Sequence, residues 1–192
     1  MARSKEFDPA VALSAATQTF WSAGYEKTSL DDLMAAMHVG RQSLYDTFGD
    51  KHQLYLGALE AYRDSTQAAM RQLFASGRSV RECFAVLLFG IARESRANHE
   101  RGCLLLSANL ERNLDDEEIA ALVKTNQVQV ETLFEGALRN AQKSGELSPQ
   151  KDARALAQFF LASIQGMRAM ARASSNRADL EQVACVALST LD

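Results

Sequence analysis

The stretch SLDDLMAAMHVGRQSLYDTFGDK, Ser29 to Lys51, decides how the N-terminal part of this 192-residue chain folds. Only His38, Val39 and Gly40 separate two groups of apolar residues that have helical spacing. The two groups are Leu30, Leu33, Met34 and Met37, then Leu44, Tyr45 and Phe48. Because isolated helices shorter than about 12 residues are marginal in water, other helices must stabilise both. The spacing therefore predicts a rigid corner that sets the direction of the second helix.

The composition is that of an ordinary globular protein, with 47% hydrophobic and 23% charged residues. The longest apolar run, Cys83 to Ala92, is shorter than the roughly 17 residues that a membrane helix requires. The N-terminal segment MARSKEFDPA lacks the apolar core of a signal peptide. We therefore expect a cytoplasmic protein that does not contact a membrane.

The distribution of prolines and apolar residues predicts an all-α fold. Asp8-Pro9 and Ser148-Pro149 each combine a capping residue with proline, a pairing typical of helix starts. No Asn-Gly or Asp-Gly hairpin signal and no sustained period-two alternation occurs, so strands are not expected. We expect an N-terminal three-helix domain over residues 1–54 and a C-terminal helical domain over residues 55–192. Helices are predicted over about Pro9–Ala23, from near Gly102, and from a cap at Asp115 to Gly145.

The last two predicted helices carry more apolar residues than one helix face can hold. The side chains outside their main apolar stripes are Phe159, Leu161, Met170, Cys185 and Val186. A helical pair that is apolar on more than one face must bury the surplus, and a second copy of the chain is the simplest partner. This pattern predicts a homodimer, and the alternative is burial within one chain.

The corner itself has the form of a helix-turn-helix. Two short helices joined by a turn that contains glycine can place the second helix in the major groove of DNA. The bulk charge does not favour DNA binding, because the net charge is -3 and residues 1–51 contain five basic against seven acidic residues. The prediction of DNA binding therefore depends on where individual residues lie in the corner. We expect Gly40 to Ser43 to face outward, and Val39, Leu44 and Phe48 to hold them from the core side.

The run FWSAGYEKTSLDDLMAAMHVGRQSLYDTFGDKHQL resembles the N-terminal domain of the tetracycline-repressor (TetR) family of bacterial regulators. The matching positions are Phe20, Gly24, Tyr25, Thr28, Ser29, Leu33, Ala36, Val39, Leu44, Tyr45, Phe48, Lys51 and Leu54. The resemblance is strong over residues 7 to 56, and the rest agrees only in helix count and in the closing helix pair. It implies a DNA-binding repressor with a C-terminal ligand-binding and dimerisation domain. Such a homodimer would bind an inverted-repeat operator on double-stranded DNA and leave it when a small-molecule effector binds.

The resemblance also implies which residues contact DNA. Arg41 and Gln42 would meet base edges, since Arg pairs with guanine and Gln with adenine. Thr28 and Lys51 would hold phosphates at the starts of two helices, where anions are favoured. The remaining predicted contacts are Ser43, Tyr45 and Thr47 in the second short helix, and Arg3 and Lys5 in an arm before the first helix.

His38 departs from the family pattern, which usually has glycine at this position. It closes the first short helix, where a left-handed backbone is common. Histidine tolerates that conformation moderately well, so we expect a cost in stability rather than a loss of function.

Cys103 is the main candidate for effector sensing. It lies at the predicted start of a helix, just after Arg96, His99 and Arg101, and both a helix start and nearby cations favour the thiolate. The segment RGCLLLSANLE resembles a Gly-Cys-Leu segment in repressors of this family that respond to electrophiles or acrylate-like acids. The alternative is that Cys103 is a small buried hydrophobic residue. Asn109 and Asn126 are candidate polar groups of an effector pocket, whereas Cys83 and Cys185 are expected to pack in helices.

Two other functional classes are weighed against the regulator. One is an all-helical thiol-dependent enzyme that uses Cys103, and the other is a helical dimeric adaptor without DNA binding. The sequence has no phosphate loop, no G-x-S-x-G motif and no dinucleotide fingerprint. The three cysteines contain no C-x-x-C pair, and the histidines lack metal-ligand spacing. We therefore expect no enzyme activity, no cofactor and no metal site.

Overall fold

The computed structural model describes residues 7–111, 116–173 and 176–192. The described chain is helical and contains no strand within these ranges. The helices are α1 (Pro9–Ala23), α2 (Leu30–Met37), α3 (Arg41–Phe48), α4 (Lys51–Phe74), α5 (Val80–Arg93), α6 (Arg96–Arg101), α7 (Leu104–Glu111), α8 (Glu117–Ser144), α9 (Ala153–Ala173) and α10 (Arg177–Ser189). The all-α prediction is confirmed. In the described ranges, no helix combines the length and the apolarity that crossing a bilayer demands.

The first helix starts and ends where the sequence predicts. The Asp8 carboxylate accepts a hydrogen bond from the Ala10 amide at 2.8 Å, and Pro9 occupies the first helical position, where its missing N–H costs nothing. Gly24 ends the helix with a φ of 83°, a conformation that residues with a Cβ rarely adopt. Local capping chemistry therefore fixes both ends of α1.

The corner between α2 and α3 is also capped at each step. Ser29 and Asp32 form a reciprocal capping box at the start of α2. His38 ends this helix in the left-handed conformation, with φ 55° and ψ 41°, as expected from its position. Within the described ranges it is the only residue other than glycine with a positive φ. Gly40 then precedes α3, so the chain turns within three residues.

Two predictions about helix starts were wrong. Ser148-Pro149 does not begin a helix, because α9 starts at Ala153 and the Asp152 carboxylate caps it by accepting from Arg154 N at 2.9 Å. Serine and aspartate are comparable caps, so the sequence offered two possible starts and the chain uses the second. The sequence also missed the short helix α6, which Gly102 ends with a φ of 63°. The predicted helix near Gly102 corresponds to α7, and the cap predicted at Asp115 lies outside the described residues.

The described residues form two compact units. The first unit comprises residues 7–65, 103–111 and 116–123, and the second comprises residues 66–102, 124–173 and 176–192. This division differs from the predicted boundary after residue 54, because the first part of α4, α7 and the start of α8 share a core with α1 to α3. The boundary between functional domains stays a prediction.

An aromatic cluster forms the centre of the first unit. The rings of Phe20 and Tyr55 meet edge to face with centroids 4.8 Å apart, and Tyr25 lies 4.8 Å from Tyr55. Leu33 of α2 and Leu44 of α3 are buried in the same core. The short helices are therefore held by α1 and α4, which supply the apolar partners that two-turn helices need.

The second unit has its own aromatic core. Phe84 of α5 stacks on Phe160 of α9 at 3.9 Å, and Phe134 of α8 meets Phe84 edge to face at 5.1 Å. An ion pair adds to this packing, because Arg168 of α9 makes two hydrogen bonds to the Glu94 carboxylate, at 3.0 and 3.1 Å. These contacts join helices that are distant in sequence. The sequence shows that each side chain lies on an apolar or polar helix face, but it does not show which residue of another helix it contacts.

The backbone strain at His38 can be measured with two substitutions that both remove the imidazole. We expect His38→Gly to be more stable than His38→Ala by about 1 kcal/mol, because only glycine adopts a left-handed backbone without a Cβ clash. Denaturant unfolding followed by circular dichroism measures the difference. Equal stability of the two variants would show that the left-handed turn costs nothing here.

Candidate nucleic-acid interface

Helix α3 has a buried apolar side that fixes it to the core and a polar side that is exposed to solvent. Leu44 is only 1% exposed, and Val39 is buried just before the helix. One turn away, Arg41, Gln42 and Ser43 are exposed. Because successive residues of a helix lie about 100° apart, anchoring Leu44 inward turns Ser43 and Gln42 outward. Arg41 lies nearly on the same side as Leu44 but is the first residue of α3, and it is exposed there. The outward placement expected of these three residues is confirmed, whereas their contacts with DNA stay predictions.

The second half of α3 is mixed in exposure. Tyr45 is 40% exposed, so its ring is available at the surface, whereas Thr47 is half-buried. Phe48 is half-buried against the core of the first unit, and its ring lies 6.4 Å from that of Phe7. This arrangement leaves Tyr45 free to contact a partner while Phe48 fixes the end of the helix.

Both predicted base-reading side chains are hydrogen-bonded to carboxylates on the same surface. The Nη2 of Arg41 donates to Asp31 Oδ1 of α2 at 3.2 Å. The Nε2 of Gln42 donates to Asp46 Oδ1, one turn further along α3, at 2.8 Å. The sequence analysis missed both partners. The four-residue spacing of Gln42 and Asp46 was a readable signal, whereas only the turn between α2 and α3 brings Asp31 to Arg41.

Lys51 occupies the first position of α4, where the helix dipole favours an anion. Its ammonium lies over the Tyr25 ring, 4.3 Å from the centroid, which restricts the direction of the side chain. Burial raises the pKa of Tyr25, and the negative charges of Glu26, Asp50 and Asp116 raise it further, so the phenol under the lysine stays neutral. A phosphate at this helix start would meet the Lys51 charge, and it would also approach the Asp50 carboxylate, which accepts from Gln53 N at 2.9 Å.

The side chain of Thr28 does not lie on this surface. It is 1% exposed, and its hydroxyl donates to the Gly24 carbonyl at 2.6 Å. The phosphate contact predicted for this side chain stays a prediction, and in this conformation the hydroxyl is buried and already donates to a backbone carbonyl. Its place in the turn before α2 gives it a structural role. Arg3 and Lys5 lie outside the described residues.

His52 joins two helices of the first unit in a way that the sequence did not indicate. Its Nε2 lies 3.1 Å from Glu118 Oε2, and its Nδ1 lies 3.7 Å from Asp116 Oδ2. The imidazole therefore holds the start of α4 close to the start of α8. The partners are 66 residues apart in sequence, so no local pattern could have paired them. Within the described residues, no group of three His, Cys, Asp or Glu side chains could hold a metal ion.

Cys103 directly precedes α7 and is half-buried against the core of the first unit. Its carbonyl accepts from Ser107 N at 2.9 Å, so it caps the helix as the sequence predicts. The neighbouring cationic side chains are engaged elsewhere. Arg96 pairs with Glu100 at 2.8 Å, and buried His99 bonds through Nε2 to the Ile91 carbonyl at 2.7 Å. The position at the start of α7 is therefore the part of the Cys103 prediction that the structure confirms.

The two candidate asparagines belong to different units. Asn109 is half-buried on α7 in the first unit. Asn126 lies in the second unit, where its Oδ1 accepts from Gln67 Nε2 at 3.0 Å. The Gln67 amide also donates to Gln129 at 2.8 Å and accepts from Arg71 at 3.1 Å. Asn126 is therefore part of a hydrogen-bonded amide cluster between α4 and α8, and its pocket role stays a prediction.

The remaining cysteines differ in their surroundings. Cys83 is buried, and desolvation raises the pKa of its thiol, which agrees with the packing role expected of it. Cys185 is exposed on α10 in the single chain, so it does not pack in the core of the second unit, and its packing against a second copy stays a prediction. Its neighbour Val186 is 68% exposed, and Phe159 and Met170 of α9 are also exposed. These side chains lie outside the apolar stripes that the second unit buries.

Two family models match the chain. Residues 12–58 match the model described as bacterial regulatory proteins, tetR family, and residues 79–187 match the tetracyclin repressor-like C-terminal domain. The HTH-type transcriptional regulator YezE of Bacillus subtilis (strain 168) is 32% identical over 194 residues, covering 100% of both chains. The HTH-type transcriptional repressor ComR of Escherichia coli (strain K12) is 33% identical over 184 residues, covering 95% of this chain and 88% of its own.

A solved structure agrees with these matches. A variant of the TetR family regulator CifR with three cysteine substitutions, in complex with a 26-base-pair double-strand operator DNA, superimposes with a TM-score of 0.85. It is 29% identical, and the match covers 99% of this chain and 100% of that chain. The first family model spans the helix-turn-helix, and the second spans α5 to most of α10, including residues 103–111 and 116–123 of the first unit. This chain therefore belongs to the TetR family of DNA-binding bacterial transcriptional regulators.

Proposed function

We propose that this regulator is a repressor that binds an inverted-repeat operator as a homodimer and leaves it when an effector reaches the C-terminal domain. The observation that carries the proposal is the outward face of α3, where Arg41 and Gln42 stand exposed over the buried anchor Leu44. Both side chains can make two hydrogen bonds to one base edge in the major groove. ComR is named as a repressor, and CifR has been solved on operator DNA, which supports this mode of action.

The homodimer is supported by the apolar surface of the last two helices. Phe159, Met170 and Val186 are exposed in the single chain, although large apolar side chains on adjacent helices are normally covered. A second copy would cover them by a two-fold arrangement in which the same patch faces itself. Two copies of α3 could then occupy successive major grooves about 34 to 36 Å apart.

Release by an effector follows from this spacing requirement. A small change in the separation of the two α3 helices would spoil both groove contacts together. A coupling of about 1 to 3 kcal/mol is the usual scale for such linkage between two sites. Cys103 is the proposed sensing residue, because it is half-buried at the start of α7 in the same unit as α3. Asn109 and Asn126 are proposed as polar contacts of the effector.

The test of the whole proposal is a mobility shift and a footprint with the DNA upstream of the protein's own gene, at several salt concentrations. A repressor of this kind gives a two-fold symmetric footprint and an affinity that falls steeply with salt. An adaptor without DNA binding gives neither, and a thiol-dependent enzyme that uses Cys103 would instead turn over a thiol-reactive substrate.

We expect Arg41→Ala to weaken operator binding by about 1 to 3 kcal/mol, since it removes a bidentate base contact. The matched control is Arg139→Ala, which removes another exposed arginine that pairs with a carboxylate, here Glu135 at 2.7 Å in the second unit. Titration of labelled operator DNA measures both variants. Equal affinities for Arg41→Ala and the control would rule out a base-reading role for Arg41.

We expect Val186→Asp to convert the dimer to a monomer, because a carboxylate buried at a two-fold interface faces its own copy. The control is Val11→Asp on α1, because Val11 is 67% exposed and Val186 is 68% exposed. Sedimentation equilibrium reports the mass of each variant. A Val186→Asp protein that remains dimeric would remove α10 from the interface.

We expect an alkylating electrophile to release the protein from DNA by forming a thioether with Cys103. The measurement uses a Cys185→Ser background, because exposed Cys185 would also react. Cys83 reacts slowly, since burial raises the pKa of its thiol and keeps it protonated. Adding Cys103→Ser should abolish the release, and release that persists would refute the thiol mechanism.

A further inference from the structure

The two side chains proposed to read bases are each held by a carboxylate from a different place in the corner. Asp31 lies in the first turn of α2 and binds Arg41 at 3.2 Å across the turn. Asp46 lies one turn beyond Gln42 on α3 and binds it at 2.8 Å. All four side chains are exposed, so the pairs stand on the surface that would face DNA.

Each pair leaves the groups that read a base available. The Arg41 guanidinium has five N–H donors, and Asp31 accepts only from Nη2, so two parallel donors remain for guanine. Gln42 gives one Nε2 hydrogen to Asp46 and keeps the second hydrogen and the Oε1 acceptor. A carboxylate accepts but does not donate, so Asp46 also fixes which end of the Gln42 amide it faces. The free donor and acceptor match the N7 and N6 groups of adenine.

The same two carboxylates disfavour contacts with DNA that do not depend on the base sequence. DNA affinity without sequence preference comes from cations that neutralise phosphates. The pair with Asp31 holds Arg41 against a swing toward a phosphate, and both aspartates repel the phosphate backbone. A base edge in the groove can be read with both pairs intact. The carboxylates therefore disfavour random DNA more than the operator, and specificity is a difference between those two affinities.

We infer that Asp31 and Asp46 are positioning residues that set the sequence selectivity of α3, by holding Arg41 and Gln42 for base edges and by opposing phosphate binding. This inference rests on the proposed function, since it requires α3 to read the operator. It assigns a role to the acidic surplus of the first 51 residues, which bulk charge alone would count against DNA binding.

The test measures the ratio of the affinities for the footprinted operator and for a random duplex of equal length. Asp31→Asn and Asp46→Asn should each lower this ratio about two- to fivefold, the range that exposed ion pairs span, chiefly because random DNA binds more tightly. The matched control is Asp64→Asn, which removes an equal charge from an exposed aspartate that pairs with half-buried Arg63 at 2.8 Å. The control should leave the ratio unchanged.

Two further variants distinguish the positioning of Arg41 by Asp31 from a general effect of negative charge on DNA binding. Asp31→Glu keeps the carboxylate and should restore most of the selectivity. In an Arg41→Ala background, Asp31→Asn should change the ratio less than it does in the wild-type background, because the part of the effect that acts through Arg41 is lost and only the repulsion of phosphates remains. Thermal unfolding followed by circular dichroism identifies a variant that has not folded, and Asp46→Asn then carries the test on a separate helix turn.

An unchanged ratio in both folded asparagine variants overturns the inference and leaves the proposed function standing. A ratio that falls equally in Asp64→Asn also overturns it, since the effect would then be one of net charge. A wild-type protein that does not prefer the footprinted DNA contradicts the proposed function itself. The two failures are therefore distinguishable in one series of titrations.

Discussion

The burial of Leu33 and Leu44 in one core is the constraint on which the rest of the first unit depends. Helices α2 and α3 have eight residues each, which is too short for stability in water without tertiary packing. The aromatic cluster around Phe20 and Tyr55 supplies that packing. Because Leu44 is fixed inward, Gln42 and Ser43 face outward, and this apolar contact helps to set the direction of the surface that α3 presents.

Local capping residues fix the ends of α2, and with them the direction in which α3 leaves the turn. The capping box of Ser29 and Asp32 starts α2, and left-handed His38 ends it, so the turn to α3 occupies only three residues. Asp31 lies beside the capping residue and also reaches Arg41. The same short segment therefore contributes to the stability of the corner and to the arrangement of the side chains that it presents.

The second unit follows a different principle, because its core is made by long helices whose aromatic rings meet. Stacking of Phe84 on Phe160 joins α5 to α9, and the amide cluster around Gln67 lies between α4 and α8. A hydrogen-bonded polar cluster restricts helix register more sharply than apolar contacts do, since its partners have fixed directions. The exposed apolar residues of α9 and α10 form a surface that this core does not use.

The sequence by itself determined the all-α class, the bounds of α1, the short corner and the outward face of α3, because capping residues and helical periodicity act within a few positions. It also identified Cys103 at a helix start and the left-handed turn at His38. Only the tertiary structure decided that Thr28 is buried, that Cys185 is exposed in the single chain, and that α9 starts at Ala153, capped by Asp152, rather than at Pro149. It also paired His52 with Glu118 and Arg41 with Asp31. Such partners are brought together by packing between helices, and no periodicity along one helix records which residue of another will face it.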